Sequence, residues 1–337
     1  MTEENPKPRR LAPLQIALIV VGIVALGFLA VLIVRVWNGA GDPVAFRLGG
    51  LRVRWYGILL MSGALCGAFV GEWEARRRGW NPDHIWNLLL WGLLLGVAVS
   101  RLWYVAGSPA LLQDPLAIIG FVNGQFVGLQ GLTIHGALVG AVIAAGLYAW
   151  VKKLNLLEWL DVGAIGFVMG QAVGRWGNFF NHEAYGRPTT LPWGLIIPAT
   201  DSTGTIPFRL APYNDLNLYP VATTRFHPTF LYESLWNLGV CVLLLFLARR
   251  YGEKLIPGET FWLYGMLYGL GRFLLEFLRT DSIYLGAFPA AQIVSVALFV
   301  VCAALFAARR WLFKCRTYGE RAAAQPAPLP AASEGES

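Results

Sequence analysis

Charge is what this 337-residue chain has least of: Asp, Glu, Lys and Arg together make up 14% of it, against 56% hydrophobic residues and a mean hydropathy of +0.53. A soluble domain carries roughly a quarter of its residues charged, so this scarcity excludes that class and implies a polytopic membrane protein. Cysteine is also sparse, with four residues. Cys66, Cys241 and Cys302 fall in apolar segments and Cys315 in the C-terminal tail, which offers neither a disulfide framework nor a metal-ligand spacing. Any thiol chemistry here therefore belongs to a substrate. Of four histidines, His135, His182 and His227 are not spaced as zinc ligands on one helix, so no metal is expected. No internal repeat is evident, which weighs against an inverted-repeat transporter.

Long apolar runs are what the chain has in abundance. Crossing a hydrocarbon core takes about 20 mostly apolar residues. Eight segments qualify: 13–36, 56–75, 84–106, 134–151, 158–176, 229–248, 258–278 and 289–308. The expected fold is an all-α polytopic bundle of about eight transmembrane helices with a head region on its outer face. Basic clusters fall on alternate connections: Lys7, Arg9 and Arg10; Arg76, Arg77 and Arg78; Lys152 and Lys153; Arg249, Arg250 and Lys254; Arg309, Arg310, Lys314 and Arg316. Cytoplasmic flanks keep the positive excess, so both termini are expected in the cytoplasm and residues 37–55, 107–133, 177–228 and 279–288 on the opposite side. The formal charge of +7 is then a topology signal, and no nucleic-acid partner is expected. The first apolar run, Leu14 to Val34, exceeds the roughly 7–15 residues of a secretory h-region, which favours a retained anchor over a cleaved signal.

Four divisions follow: a cytoplasmic tail, 1–12; an additional first helix, 13–36; a membrane core, 37–310, whose outer head covers about 177–228; and a partly disordered cytoplasmic tail, 311–337. An outer excursion of about 50 residues within a compact bundle usually has a role. Glycines at Gly92 and Gly96, Gly136 and Gly140, Gly166, Gly170 and Gly174, and Gly265 and Gly269 have the spacing that lets helix backbones approach closely in lipid.

Polar groups at membrane depth are tolerated only where they face a protein-lined cavity, so they mark functional sites. The densest such run is Gly174 to Arg187, at the end of the fifth segment. Gln171, Arg175 and Asn178 share one helical face there, and Asn181, Glu183 and Gly186 follow in an expected turn, where glycine permits conformations and close approach that other residues resist. An interfacial arginine can also simply snorkel to lipid phosphates. In the seventh segment Tyr264, Tyr268, Arg272, Glu276 and Arg279 recur every three or four residues and line one face. Arg272 and Glu276 can lock two helices by pairing at i,i+4, or the glutamate can orient an arginine that binds an anion. His135 opens the fourth segment, either as a packed core group or as a titrating one.

The run Gly174 to Arg187 resembles the signature of bacterial prolipoprotein diacylglyceryl transferases, with Arg, Gly, Asn, Phe and then Asn, Glu and Gly at this spacing. Further matches come in family order: Trp55-Tyr56-Gly57, Ser100-Arg101-Leu102-Trp103-Tyr104-Val105, His135-Gly136, His227-Pro228-Thr229 with Leu231-Tyr232-Glu233, and Tyr268-Gly269 with Arg272, Glu276 and Arg279. The resemblance covers about residues 48–310. It departs at Ala137, where a second glycine is usual, and at the first apolar segment, which looks like an addition ahead of the common core.

The resemblance implies transfer of the diacylglyceryl group of phosphatidylglycerol to the lipobox cysteine of an exported prolipoprotein. A thioether forms and glycerol 1-phosphate leaves, with no cofactor, in the bacterial inner membrane and with the site toward the periplasm. On that reading Arg175 and Arg272 clamp phosphate, because a guanidinium binds it bidentately and stays charged. His135 is the candidate base. Asn178, Tyr56, Tyr268 and Gly186 meet the lipid headgroup, Glu183 and Glu276 orient arginines, and Asn181, Arg279 and His227 support. A membrane lipid or anion transporter with an intramembrane arginine site is the alternative.

Overall fold

The structure is a computed structural model that describes residues 29–48, 51–108, 116, 120–122, 125–126, 133–201, 204 and 206–324. The expected tail 1–12, most of the added segment 13–36, Gly131 and Leu132 ahead of His135, and the last thirteen residues of the C-terminal tail lie outside the described residues.

The described chain is mostly helical. Residues 29–37 are helical and are called α1. A hairpin, β1 (Val44–Leu48) and β2 (Leu51–Arg54), leads into α2 (Trp55–Arg77) and α3 (Asp83–Ala106). A short pair, β3 (Phe121–Val122) and β4 (Gln125–Phe126), precedes α4 (Ile134–Val151), α5 (Leu156–Phe180), α6 (Thr229–Arg250) and α7 (Glu259–Glu276). A third hairpin, β5 (Tyr284–Leu285) and β6 (Phe288–Pro289), leads into α8 (Ala290–Ala307), and α9 (Tyr318–Ala323) closes the described chain.

Among the described residues, five helices are long and apolar enough to cross a membrane: α2, α3, α5, α6 and α8 with its extension to Leu312. The helix α4 is apolar but shorter, and the 18 residues of α7 include the charged Glu259, Arg272 and Glu276. The fifth apolar segment extends beyond its expected end at 176 to Phe180, which keeps both Arg175 and Asn178 on helical backbone.

The chain divides into two compact units. The larger holds the helices from α2 onward, with α2 packed on α5, α3 on α4, α5 on α6 and α7, and α7 on α8. The glycine spacing acts most directly between α2 and α5. A Cβ at Gly63 would lie 2.6 Å from the Gly170 carbonyl oxygen, and one at Gly67 would lie 2.5 Å from that of Gly166, so only glycine allows this approach. Dispersion then replaces the hydrophobic drive that lipid removes, and the core beside this seam contains Ile165, Val168, Val240 and Leu244.

The smaller unit joins the end of α1 to residues 188–227. The Ile196 amide donates to the Trp37 carbonyl at 3.0 Å, Leu195 and Phe226 exchange backbone hydrogen bonds, and Val36, Leu195, Ile197 and Phe226 are buried. Arg209, 2% exposed, donates to the carbonyls of Ile197 and Tyr219 and lies 5.1 Å from the Phe226 ring. Hydropathy scores each segment alone and carries no information on this association.

Candidate active site

Three helices of the larger unit carry the polar residues, and hydrogen bonds fasten them together. Ser234 of α6 donates to the Ala172 carbonyl of α5 at 2.7 Å, Trp236 of α6 donates to the Leu267 carbonyl of α7 at 3.0 Å, and the Tyr264 hydroxyl of α7 donates to Gln171 of α5 at 3.0 Å.

Within this frame Glu233 of α6 is the hub. Its Oε2 lies 2.6 Å from Arg175 Nε and its Oε1 lies 3.0 Å from Arg279 Nη1. Arg279 also grips Asp281 through two nitrogens, at 2.9 and 2.6 Å. Burial disfavours the Arg279 cation, but the hydrogen bond and charge of Asp281 and the charges of Glu233 and Glu276 outweigh that and hold its pKa above the ordinary value. Arg272 Nη2 lies 2.6 Å from Glu276 Oε2, and Arg272 Nη1 is buried with no hydrogen-bond partner among the described residues. A cavity of about 10 Å³, room for about one water, is lined by Glu233, Trp236, Asn237, Tyr268 and Arg272.

The polar run divides into helix and loop. Residues 174–180 complete α5, and the chain then turns through His182 and Ala184, both left-handed at φ 53° and 54°. Gly186 does not supply that conformation. It pairs antiparallel with Arg279, while the Arg187 amide donates to the Leu278 carbonyl at 2.8 Å. Thr280 donates to the Tyr185 carbonyl at 3.0 Å, and Thr229 donates to that of Ala184, so the ends of α6 and α7 hold the loop. The left-handed Ala184 is backbone strain that this clamping sustains.

The expected residues separate into groups. Arg175, Tyr268, Arg272, Glu276 and Arg279 meet around Glu233 and the small cavity. Asn178 and Asn181 donate to Glu183 Oε1 at 2.9 and 3.2 Å, so the described partners of Glu183 are amides and not an arginine. The Tyr56 ring packs on Gly177, where a Cβ would lie 2.8 Å from the ring. His135 occupies an exposed position in the first turn of α4, whose N-cap Thr133 accepts from Gly136 and is held through its carbonyl by Ser100. None of the described hydrogen bonds or ion pairs joins His135 to the arginines. His227 belongs to the smaller unit, half-buried, and burial lowers its pKa.

Glu233 and Asp281 stand outside the residues to which sequence assigned a role. A carboxylate four residues into an apolar segment is the signal that marks Glu233. Asp281 has no such signal, because it lies in a polar connection.

Chemically, the arrangement is a set of cations preoriented by carboxylates. Glu233 meets Arg175 at Nε and Glu276 meets Arg272 at Nη2, while Arg272 Nη1 has no hydrogen-bond partner among the described residues. Fixed guanidinium donors in a poorly hydrated site suit an anion and suit negative charge that develops during reaction. Helices and site together define an integral membrane protein with a buried cluster of arginines and carboxylates whose cations suit an anion.

Residues 43–308 match the family described as prolipoprotein diacylglyceryl transferase, and the chain belongs to that family. A phosphatidylglycerol–prolipoprotein diacylglyceryl transferase of Chloroflexus aggregans is 44% identical over 284 residues, covering 78% of this chain and 88% of the relative. Proteins of the same name from Synechocystis sp. and Thermotoga maritima are 40% and 36% identical, covering 77% and 81% of this chain and 86% and 87% of their own lengths.

Proposed function

We propose that this protein transfers the diacylglyceryl group of phosphatidylglycerol to the thiol of a prolipoprotein's lipobox cysteine, the first step of lipoprotein maturation. Sulfur attacks the glycerol carbon that bears the phosphate ester, the C–S bond forms as the C–O bond breaks, and glycerol 1-phosphate leaves with the electron pair. Family membership supports the reaction class. The observation that carries the assignment of roles is the buried Nη1 of Arg272, unpartnered among the described residues, at a cavity lined also by Glu233, which pairs with Arg175.

Arg175 and Arg272 hold the phosphate and stabilise its departing charge. Tyr56, Tyr268, Asn178 and Gly186 meet the headgroup, and Glu276, Glu183, Asn181, Arg279 and His227 support the constellation. A free thiol of pKa near 8.5 is mostly protonated at neutral pH, and His135 accepts that proton. Because His135 is exposed at the start of α4, the peptide approaches from that side of the bundle.

Basic connections on alternate loops support eight crossings of the bacterial inner membrane, with both termini cytoplasmic and the polar run toward the periplasm, where exported prolipoproteins emerge. The proposed layout keeps 1–12 as a tail, 13–36 as an added helix, 37–310 as the core with its head at 177–228, and 311–337 as the second tail.

The test is direct. Purified protein in detergent is incubated with phosphatidylglycerol and a lipobox peptide, and the peptide is weighed. A diacylglyceryl mass increment on the cysteine is expected. An unchanged peptide from folded protein overturns the proposal.

A further inference from the structure

The helix that carries Arg272 begins without a cap of its own. Gly258, the N-cap of α7, is left-handed at φ 97° and has no side chain to accept the first free amides. Asp161 of α5, fully buried, supplies that acceptor from outside the helix. Its Oδ2 accepts from the Gly258 amide at 2.8 Å and its Oδ1 from the Phe261 amide at 3.0 Å.

A third donor comes from the C-terminal segment. The Tyr318 hydroxyl, at the start of α9, donates to Asp161 Oδ2 at 2.8 Å. Burial and the neighbouring Asp161 carboxylate raise the Tyr318 pKa, so the phenol keeps the proton it donates. The segment is itself well held. The Tyr318 amide donates to the Leu255 carbonyl at 2.9 Å, Arg78 lies 5.4 Å from the Tyr318 ring, Arg321 pairs with Glu158 at 3.1 Å, and Thr317 and Glu320 form a capping box.

The tie has a geometric consequence at the site. Arg175 lies fourteen residues beyond Asp161 on α5, and Arg272 lies fourteen residues beyond Gly258 on α7. Both helices run in the same sense from the tie, so each arginine stands about 21 Å along its own axis from one shared anchor. A slip of α7 by one residue would move Arg272 about 1.5 Å past Arg175. Misplacement on that scale costs a reaction much of its rate.

We propose that Asp161 and Tyr318 are positioning residues of the transfer reaction: the C-terminal segment completes, through the Tyr318 hydroxyl, the carboxylate cap that sets α7 in register on α5 and fixes Arg272 relative to Arg175. This rests on the diacylglyceryl-transfer reading for its kinetic consequence but not for its geometry.

The test pairs kinetics with a distance. In Asp161→Asn one oxygen becomes an amide that cannot accept, and kcat per folded molecule should fall about tenfold or more while the KM for phosphatidylglycerol holds. Tyr318→Phe, which keeps the ring, should lower kcat about threefold, and Asp161→Glu should recover part of the loss. Independently of activity, spin labels at Gly163→Cys on α5 and Leu274→Cys on α7, in a cysteine-free background, should give one sharp distance that broadens or shifts in both variants. Unchanged distance in Tyr318→Phe with unchanged kcat overturns the proposal, even if Asp161→Asn fails to fold. A lower melting midpoint with unaltered kcat per folded molecule makes Asp161 a stability residue and overturns it equally. Absence of transfer by the wild type would remove the reaction instead, leaving the spin-label distances to decide the register claim alone.

Discussion

At one end of the bundle the buried carboxylates of Glu74, Asp161 and Glu259 have both oxygens engaged: Glu74 by Arg77 and Arg78, Asp161 by two amides and Tyr318, Glu259 by Arg310 and the Ile256 amide. At the other end Arg175, Arg272 and Arg279 meet Glu233, Glu276 and Asp281, and Arg272 Nη1 and Asn181 Oδ1 are buried with no partner among the described residues. The residue types are the same at both ends. Leaving a buried donor unpaired costs about 1–3 kcal/mol, more when it is charged. Unpartnered buried donors occur at both ends among the described residues, with Thr260 Oγ1, Trp262 Nε1 and Arg309 Nε near the first, so the ends differ in their carboxylates: those of the first are capped on both oxygens, while the second sets one carboxylate, Glu233, between two arginines.

The assignment of ends to membrane faces predicts the sharpest contrast. With Asn214→Cys, an impermeant maleimide should label intact spheroplasts fully, and with Lys153→Cys it should label only after lysis. Both positions are exposed. The reverse pattern would put the arginine site on the cytoplasmic side and remove the reading of prolipoprotein delivery.

Next in size is the clamp. Arg272→Lys keeps the charge but loses the fork, so turnover should fall about a hundredfold to a thousandfold in protein whose melting midpoint is little changed. Near-normal turnover would reduce the arginine end to the same structural status as its opposite. The base comes third. His135→Asn should lower activity about a hundredfold at pH 7 and regain part of it at higher pH, as the substrate thiol ionises unaided. Activity that stays low at every pH would indicate a lost contact, and wild-type activity at pH 7 would credit thiolate formation to the arginine field.

At the end with capped carboxylates the effect should fall on stability. Glu74→Gln leaves Arg77 and Arg78 without their carboxylate. Breaking a buried pair costs about 3–5 kcal/mol, discounted here to about 2 because Arg77 is 38% exposed. The melting midpoint should drop, with kcat per folded molecule unaltered. The smallest effect concerns His227. Its pKa is lowered in the fold, so the unfolded chain takes up a proton more readily, and stability fully present above about pH 6.5 is lost as pH falls from there through the lower folded value. His227→Gln should flatten that decline by about a degree in the melting midpoint.

The sequence by itself determined the membrane class, the apolar segments that became α2 to α8, the stripe from Tyr264 to Arg279, and the polar run after Gly174. Each of these is local: segment hydropathy and a period of 3.6 residues need no knowledge of what a helix packs against. Family-specific spacing made the reaction legible in the same way. Tertiary structure alone decided which groups meet. Nothing in the spacing of Glu233, Arg175 and Arg279 along the chain shows that one carboxylate bridges two arginines. Glu183 was expected beside an arginine and holds Asn178 and Asn181, because the turn after Phe180 brings those amides to it first. Asp161 caps a helix that starts 98 residues later, and Trp37 pairs with Ile196. The physical reason is common to all of these: a buried polar atom must find a partner, and which partner it finds depends on how helices dock in three dimensions, which no pattern along one segment encodes.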